Sequence, residues 1–314
     1  MSFPKFPQFQ KITVADKDTY LEYYSALSEP YSYFSIADLL IWVDFYGDLE
    51  VSDLNNNVVI KFTNVLEAAT KCYSLIGTSR LRNTLEALSE YLHTQTDKPQ
   101  LSFVPEQMIN LIHKVNFPGL TIEVNRDDSD YVYKIDDFVL MDGKPYRNIR
   151  ERVRNFNRDN DDIRMRKFNL RRSEDRQIIQ EHVAKWSETN QSHNDPDKFE
   201  VSIIDRHLNI AKHLSVHAYG LYVKDTLASV VIFNEPPQKD WIIVNHVKCD
   251  YSYAGVFGAA TYEVAVIAKA KGYKWINFQQ DLGLEGLRRI KLFMRPEKFL
   301  RCYTISFDGD TRAQ

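Results

Sequence analysis

VHAYGLYVKDTLASVVIFNEPPQKDWIIVNHVKC, residues 216–249, holds three apolar runs separated by two turn signals. Val216–Val223, Leu227–Asn234 and Trp241–Lys248 are rich in β-branched and aromatic residues and read as strands. Lys224-Asp225 and the Pro236-Pro237 loop turn the chain between them, which predicts an antiparallel meander. Gly258–Lys271 follows as an alanine-rich helix, closed by Gly272 where helices commonly end. Lys274–Phe278 then reads as a short strand, Leu284–Phe293 as a helix and Arg301–Phe307 as a last strand. A meander followed by helix, strand and helix is a mixed α/β unit.

A similar order recurs upstream. Val58–Thr63 and Lys71–Ile76 read as strands, Ser79–Leu92 as a helix opened by a serine cap, and Leu101–Val104 as a strand. Pro105 is expected at the first position of the next helix, and strands are expected at Leu120–Val124 and Tyr131–Ile135. Asp16–Leu27 and Ser35–Val43 are expected helices ahead of this order, as are Ser173–Glu188 and Asp197–His213 ahead of the meander. The recurrence predicts two similar α/β units, as a length of 314 residues also suggests. The charged run Asn157–Asp162 is the candidate boundary, dividing the chain into residues 1–160 and 161–314.

Composition narrows the class. Hydrophobic residues at 44% and charged residues at 26% are those of an ordinary globular chain. Cys72, Cys249 and Cys302 lie far apart, which argues against a disulfide framework or zinc spacing and for reduced thiols in a cytoplasmic protein. The N-terminus lacks a signal-peptide pattern, and no run of about 18 apolar residues predicts a membrane span, so membrane contact would be peripheral. A net charge of −3 argues against general nucleic-acid binding. Yet residues 142–172 carry eleven basic and five acidic side chains, and residues 269–301 nine and three, each a local +6. Such asymmetry suits a phosphate-bearing ligand, although solvated helix faces would look the same.

No nucleophile elbow, zinc-protease helix, paired CxxC or P-loop is present. His213 and His217 have the spacing of helical ligands but straddle a turn and a strand, so no metal is expected. In Tyr251–Ala260, Gly255 and Gly258 permit close backbone approach where helix N–H groups favour an anion. Tight helix packing needs the same small residues. Around Gly143–Arg158, a helix would place Arg147, Arg150, Arg154 and Arg158 on one face, opposite Ile149, Val153 and Phe156. Guanidinium rows suit phosphate, and pairing with Asp159 and Asp162 is the structural alternative.

Asn277–Lys291, NFQQDLGLEGLRRIK, is richest in chemistry. Asn277, Gln279 and Asp281 alternate at a strand end, Glu285 opens a helix, and Arg288 and Lys291 share one of its faces. Carboxylates beside amides and cations fit acyl transfer, where a proton leaves the acceptor and an oxyanion needs support. A capped helix with a Glu285–Arg289 pair accounts for the same residues, and the residues alone leave the two readings even.

DLGLEGLRRIKL at 281–292, RPEKFLRCY at 295–303 and YVYKIDDFVLMDGKPYRNIRERVRNF at 131–156 resemble the C-terminal domain family of bacterial phosphatidylglycerol lysyltransferases. The likeness covers nearly the whole chain and implies a tandem GNAT-like acyltransferase fold, with two mixed or antiparallel sheets flanked by helices. It implies transfer of an aminoacyl group from aminoacyl-tRNA to a lipid or other small acceptor, without a tightly bound cofactor. The membrane-embedded flippase domain usual in that family is not expected here. An aminoacyl ester is already activated, so no covalent nucleophile is required. By position, Asp281, Glu285 and Lys291 are implied as catalytic, and Asn277, Gln279, Arg288, Gly255 and Gly258 as substrate-binding. Lys144, Arg147, Arg150 and Arg154 are implied as phosphate- or tRNA-binding residues near the junction of the units. PEQMINLI at 105–112 stands where the second unit has LGLEGLRR, which predicts a catalytically degenerate first unit.

Two alternatives remain open at this point. In GNAT enzymes the strand-to-helix turn binds the pyrophosphate of coenzyme A through Gln/Arg-x-x-Gly-x-Gly/Ala. With Gly258 as the first glycine Ala260 fits, but Gly255 occupies the Gln/Arg place. An acyl-CoA-dependent N-acyltransferase is therefore one alternative, and a non-enzymatic binding protein on the same fold is the other.

Overall fold

A computed structural model describes residues 2–43, 47–64, 70–189 and 195–308. The chain divides into one unit of Met1–Asp130 with Leu300–Gln314, and a second of Tyr131–Phe299.

The first unit opens with β1 (Gln10–Lys11), α1 (Lys17–Tyr24) and α2 (Ile36–Ile41). Then come β2 (Glu50–Leu54), β3 (Asn57–Asn64), β4 (Thr70–Ile76), α3 (Leu81–Gln95), β5 (Gln100–Pro105) and α4 (Glu106–Val115). Strands β1 to β4 form an antiparallel sheet in sequence order. The β2–β3 hairpin turns on Asn55 and Asn56, both left-handed at φ 57° and 61°, a conformation that asparagine tolerates better than most residues. Leu85, Leu88 and Leu92 of α3 pack with Met108, Ile109 and Ile112 of α4 over Val59, Tyr73 and Leu75. Arg80 at φ 46° stands at the N-cap of α3 in place of the expected serine, and the Ser79 carbonyl accepts from the side chains of Asn57 and Thr84. Pro105 is the cap of α4 rather than its first residue.

Strand β6 (Leu120–Lys134) passes from the first unit into the second. The sequence predicts two strands here, because Asn125–Asp130 is polar enough to read as a loop. Those polar side chains are satisfied within the extended chain: Ser129 donates to the Asn125 carbonyl, and the Asp130 carboxylate accepts from the Ser32 hydroxyl and N–H at 2.7 Å each.

The second unit continues with α5 (Ile135–Leu140), α6 (Arg147–Asp159), β7 (Ile163–Phe168), α7 (Ser173–Thr189) and α8 (Asp195–Ile210). Next are β8 (Val216–Val223), β9 (Thr226–Asn234), β10 (Trp241–Cys249), α9 (Val256–Ala270), β11 (Trp275–Asn277) and α10 (Glu285–Phe293). Strand β12 (Lys298–Phe307) returns to the first unit, where it pairs with β5. Residue 160, the expected boundary, lies inside the second unit. It sits in the turn between α6 and β7, and β7 pairs along its whole length with β8.

The meander β8–β9–β10 is as the sequence predicts, and its runs are apolar on both faces because helices cover both. Ala228, Val231 and Phe233 of β9 pack with Val256, Ala260 and Val264 of α9. The intervening Val230 and Ile232 pack with Ile179 of α7 and Ile204 and Leu208 of α8. Helix α9 is the crossover that lets β11 lie parallel to β10. That pairing covers only Trp241–Ile243 with Trp275–Asn277, while β10 runs on with a bulge between Val244 and His246. The strands therefore part company where β11 ends, and bulges recur beside functional sites. The order β2-β3-β4-α3-β5-α4 recurs as β8-β9-β10-α9-β11-α10.

Candidate functional site

The chain leaving β11 is held by its own polar groups. Asn277 accepts the Gln279 N–H at 2.7 Å, and Gln279, Leu282 and Gly283 all take left-handed φ. Two non-glycine residues in that region within four positions store local strain, which persists only where surrounding contacts impose it. Asp281 supplies those contacts. Fully buried, it accepts Nε and an Nη of Arg288 at 2.9 Å each, the Tyr131 hydroxyl at 2.5 Å and the Gly283 N–H at 2.9 Å. Burial pushes its carboxyl upward, but the hydrogen bonds from Arg288, Tyr131 and Gly283 outweigh burial and hold it at about 2. Lys291 is buried as well, and its ammonium donates to the carbonyls of Phe278, at 2.7 Å, and Gln280. The Tyr133 hydroxyl donates to the Lys291 carbonyl at 2.7 Å, so two tyrosines of β6 clamp the loop and helix α10.

A cavity of about 280 Å³ lies between α6, the start of α9 and α10, and none of the loop residues 277–284 lines it. Its apolar wall includes Phe138, Ile149, Val256, Phe257, Phe293 and Met294, and Gly255, Gly258 and Thr261 of the α9 start border it. No side chain caps α9; the Val256 N–H is taken by the Tyr253 carbonyl at 3.2 Å, and the N–H groups of Phe257 and Gly258 follow at the positive end of the helix beside the cavity. Gly255 has φ 86°, and an added Cβ would stand 3.0 Å from the Arg152 carbonyl, so α6 packs close against this turn. Arg152 and Arg289 bring charge to the cavity. The Arg152 guanidinium lies 4.5 Å from the centre of the Phe293 ring. No carboxylate lines the cavity among the described residues.

Of the sequence-predicted residues, Asn277, Gln279, Asp281, Arg288 and Lys291 come together in the loop and its clamp. Glu285 does not join them: it is largely exposed and lies 3.7 Å from Arg289. Gly255 and Gly258 line the cavity. Lys144, Arg147 and Arg154 are exposed, and neither Arg147 nor Arg154 pairs with a carboxylate among the described residues. Arg150 instead turns inward, donating to the carbonyls of Met141 and, at 3.4 Å, Gly143. Arg158 is tied to Asp159 at 2.8 Å. Sequence reasoning missed Arg152, Arg289, Tyr131 and Tyr133. For Arg152 a signal existed, since it follows Ile149 by three residues and so flanks the buried stripe. His217 pairs with Glu235 at 2.8 Å, and no group of three metal-ligating side chains occurs among the described residues.

The sequence pattern of the family described as phosphatidylglycerol lysyltransferase, C-terminal, matches residues 26–306. The chain belongs to this family. Among curated proteins none matches it by sequence. Among solved structures, it is similar to a conserved protein of unknown function from Bacteroides thetaiotaomicron, with TM-score 0.84 and 22% identity over 96% of this chain and 99% of that one. It is also similar to the C-terminal domain of a proposed lysylphosphatidylglycerol synthetase from Agrobacterium fabrum, with TM-score 0.63 and 12% identity over 95% and 93% of the two chains. A tandem GNAT protein from the clavulanic acid pathway superimposes with TM-score 0.51 and 8% identity over 96% and 99%. At such identities the likeness carries the fold alone: the family member is a tandem GNAT-like protein with helices on mixed sheets.

Proposed function

We propose that this family member is an aminoacyltransferase whose second unit moves an aminoacyl group from aminoacyl-tRNA to a lipid or other small acceptor. The observation that carries the reading is the cavity beside α9, which combines apolar walls, an uncapped helix start and two guanidinium groups. Such a chamber suits a substrate with an apolar body and an anionic part. Among the described residues of the first unit, Tyr33, Phe34, Leu39 and Phe103 help line an apolar void of about 20 Å³, room for about one water.

In the proposed reaction an acceptor oxygen or nitrogen attacks the ester carbonyl. Its bond to carbon forms, the bond from carbon to the tRNA ribose oxygen breaks, and the acceptor proton ends on that ribose oxygen. Arg289 and the α9 N–H groups place positive potential where the tetrahedral oxyanion forms. Asp281 and Lys291 act by position: the carboxylate is fully engaged and held at about 2, so it is a poor proton acceptor near neutrality. Glu285, 3.7 Å from the cavity-lining Arg289, is the proposed proton carrier. Asn277, Gln279 and Arg288 shape the loop, while Lys144, Arg147 and Arg154 are proposed to meet tRNA phosphates, with Arg150 supporting that face.

Labelled aminoacyl-tRNAs incubated with the protein and phospholipid or amine acceptors should yield a labelled product. Glu285→Gln should slow the transfer by about 100-fold, the usual share of general base catalysis. Label remaining on tRNA with every acceptor would refute the reading. The open α9 start also favours a second reading, acyl-CoA-dependent N-acylation. For that reading, acetyl-CoA at 100 times its Kd should stabilise the fold by about 2.7 kcal/mol, and absence of a thermal shift at millimolar concentration would exclude it. A protein inert in both assays would be a binding protein on this fold.

A further inference from the structure

We propose that the aminoacyl group this protein takes from tRNA carries a large apolar side chain, such as leucyl or phenylalanyl, and that a lysyl group is disfavoured. The inference rests on the aminoacyl reading and adds the donor to it. In that reading the tetrahedral oxyanion forms beside Arg289 and the first turn of α9, both of which border the cavity of about 280 Å³. A donor side chain hangs from the carbon bonded to the ester carbonyl, so it lies beside the same groups. The acceptor approaches across the face of that carbonyl, and the ribose oxygen leaves on another side. The cavity is left to the donor side chain, which passes through the transfer intact.

The walls then choose among donors. Phe138, Ile149, Val256 and Met294 are buried, and the rings of Phe257 and Phe293 complete the apolar lining. Burying a leucyl or phenylalanyl side chain against them is favourable in proportion to its apolar area. A space of about 10–15 Å³ already admits one water. An alanyl methyl would therefore leave most of the 280 Å³ to solvent. A lysyl ammonium would lose hydration and meet Arg152 and Arg289, with no carboxylate in the lining among the described residues. The Arg152 guanidinium lies 4.5 Å from the centre of the Phe293 ring, so that ring already serves one cation. Glu285 stands outside the lining and is exposed, where an ion pair contributes little. The α-ammonium is common to all donors and does not discriminate. The family is described by lysyl transfer, and the inference sets this chain apart from that description.

Calorimetric titration of the full chain with 3′-aminoacylamino-3′-deoxyadenosines tests this. These amides mimic the charged end of tRNA, resist hydrolysis and carry no phosphate. The leucyl and phenylalanyl compounds should bind about tenfold or more tighter than the alanyl and lysyl compounds. Gly258 lines the cavity, and an added Cβ would stand 3.8 Å from Val153, an ordinary contact. Gly258→Leu should therefore fold, fill part of the space and remove the advantage of leucyl over alanyl. Arg152 is exposed, so Arg152→Glu should keep the melting temperature and strengthen binding of the lysyl compound by about fivefold. Equal affinities across the series, tighter binding of the lysyl or alanyl compound, or no binding at all would overturn the inference. So would a leucyl advantage that survives Gly258→Leu, or a lysyl affinity that Arg152→Glu leaves unchanged. Transfer from labelled lysyl-tRNA but not leucyl-tRNA would sink the donor assignment and leave the aminoacyl reading standing. Absence of transfer from every charged tRNA is the outcome that fails the reading itself.

Discussion

Asp281 reads in the sequence as an acid–base candidate, and the structure surrounds it with donors. Its partner Arg288 stands seven residues away, across the strained turn, so no helical i, i+4 rule links them. Removing the charge with Asp281→Asn weakens the hydrogen bonds it accepts from Arg288 and Tyr131 and should cost about 2 kcal/mol, the range of hydrogen bonds to a charged group. The pH dependence has a definite sign. The folded carboxyl is held at about 2, against about 4 when unfolded, so its contribution is present above pH ~4 and lost as pH falls toward 2. Urea unfolding at pH 5 and pH 2.5 should therefore show about 1.5–2 kcal/mol of acid-sensitive stability that the Asn variant lacks. Equal acid loss in both proteins would contradict this account of the loop. Lys291 carries the same lesson, since its ammonium is pinned to the carbonyls of Phe278 and Gln280.

At the scale of elements, the meander and its crossover helix were legible because β-branched runs and an alanine-rich stretch repeat over many residues. Strand β7 was missed because IRMRKF alternates with arginines and lysine, and only pairing with β8 makes it a strand. How α8 packs on β10 was also invisible. His207 of α8 and His246 of β10 are buried with rings 5.4 Å apart, and Glu200 and Lys248 lie alongside His246. Burial pushes both imidazoles down, His207 well below its usual range and His246 to about 3, with Lys248 adding to the effect on His246. The folded protein thus binds fewer protons than the unfolded chain below pH ~6.5, and stability falls as pH falls through that value. Each histidine contributes up to about 1.4 kcal/mol per pH unit. Between pH 7 and pH 5, His207→Phe should reduce the slope of unfolding free energy by about half of the histidine contribution, read from urea midpoints. An unchanged slope would mean that these imidazoles are not held neutral.

At the scale of the molecule, charge distribution outweighs its sum. A net −3 hides the positive stretch that α6 concentrates, and within it Arg147 and Arg154 stay exposed while Arg150 and Arg158 are engaged. Filter binding of tRNA across a salt series should give a linear dependence of log K on log salt. Arg147→Ala with Arg154→Ala should reduce the slope by about 2, one counterion for each phosphate that the variant no longer neutralises. A slope that does not change would place tRNA elsewhere or remove it from the account.

By itself, the sequence determined the α/β class, the recurrence of one element order in two units and the segment from Asn277 to Lys291. Those rest on periodicity, glycine placement and short motifs, which are local properties of the chain. Only the tertiary structure decided where the units divide, because β12 returns to the first unit while β6 crosses from it. It also decided which charges are spent and which stand at a cavity. Asp281 and Arg152 look alike in the sequence as charged residues that each precede an apolar one, Leu282 and Val153. Packing buries one among four donors and leaves the other on an aromatic face at an opening, and no local pattern encodes that difference.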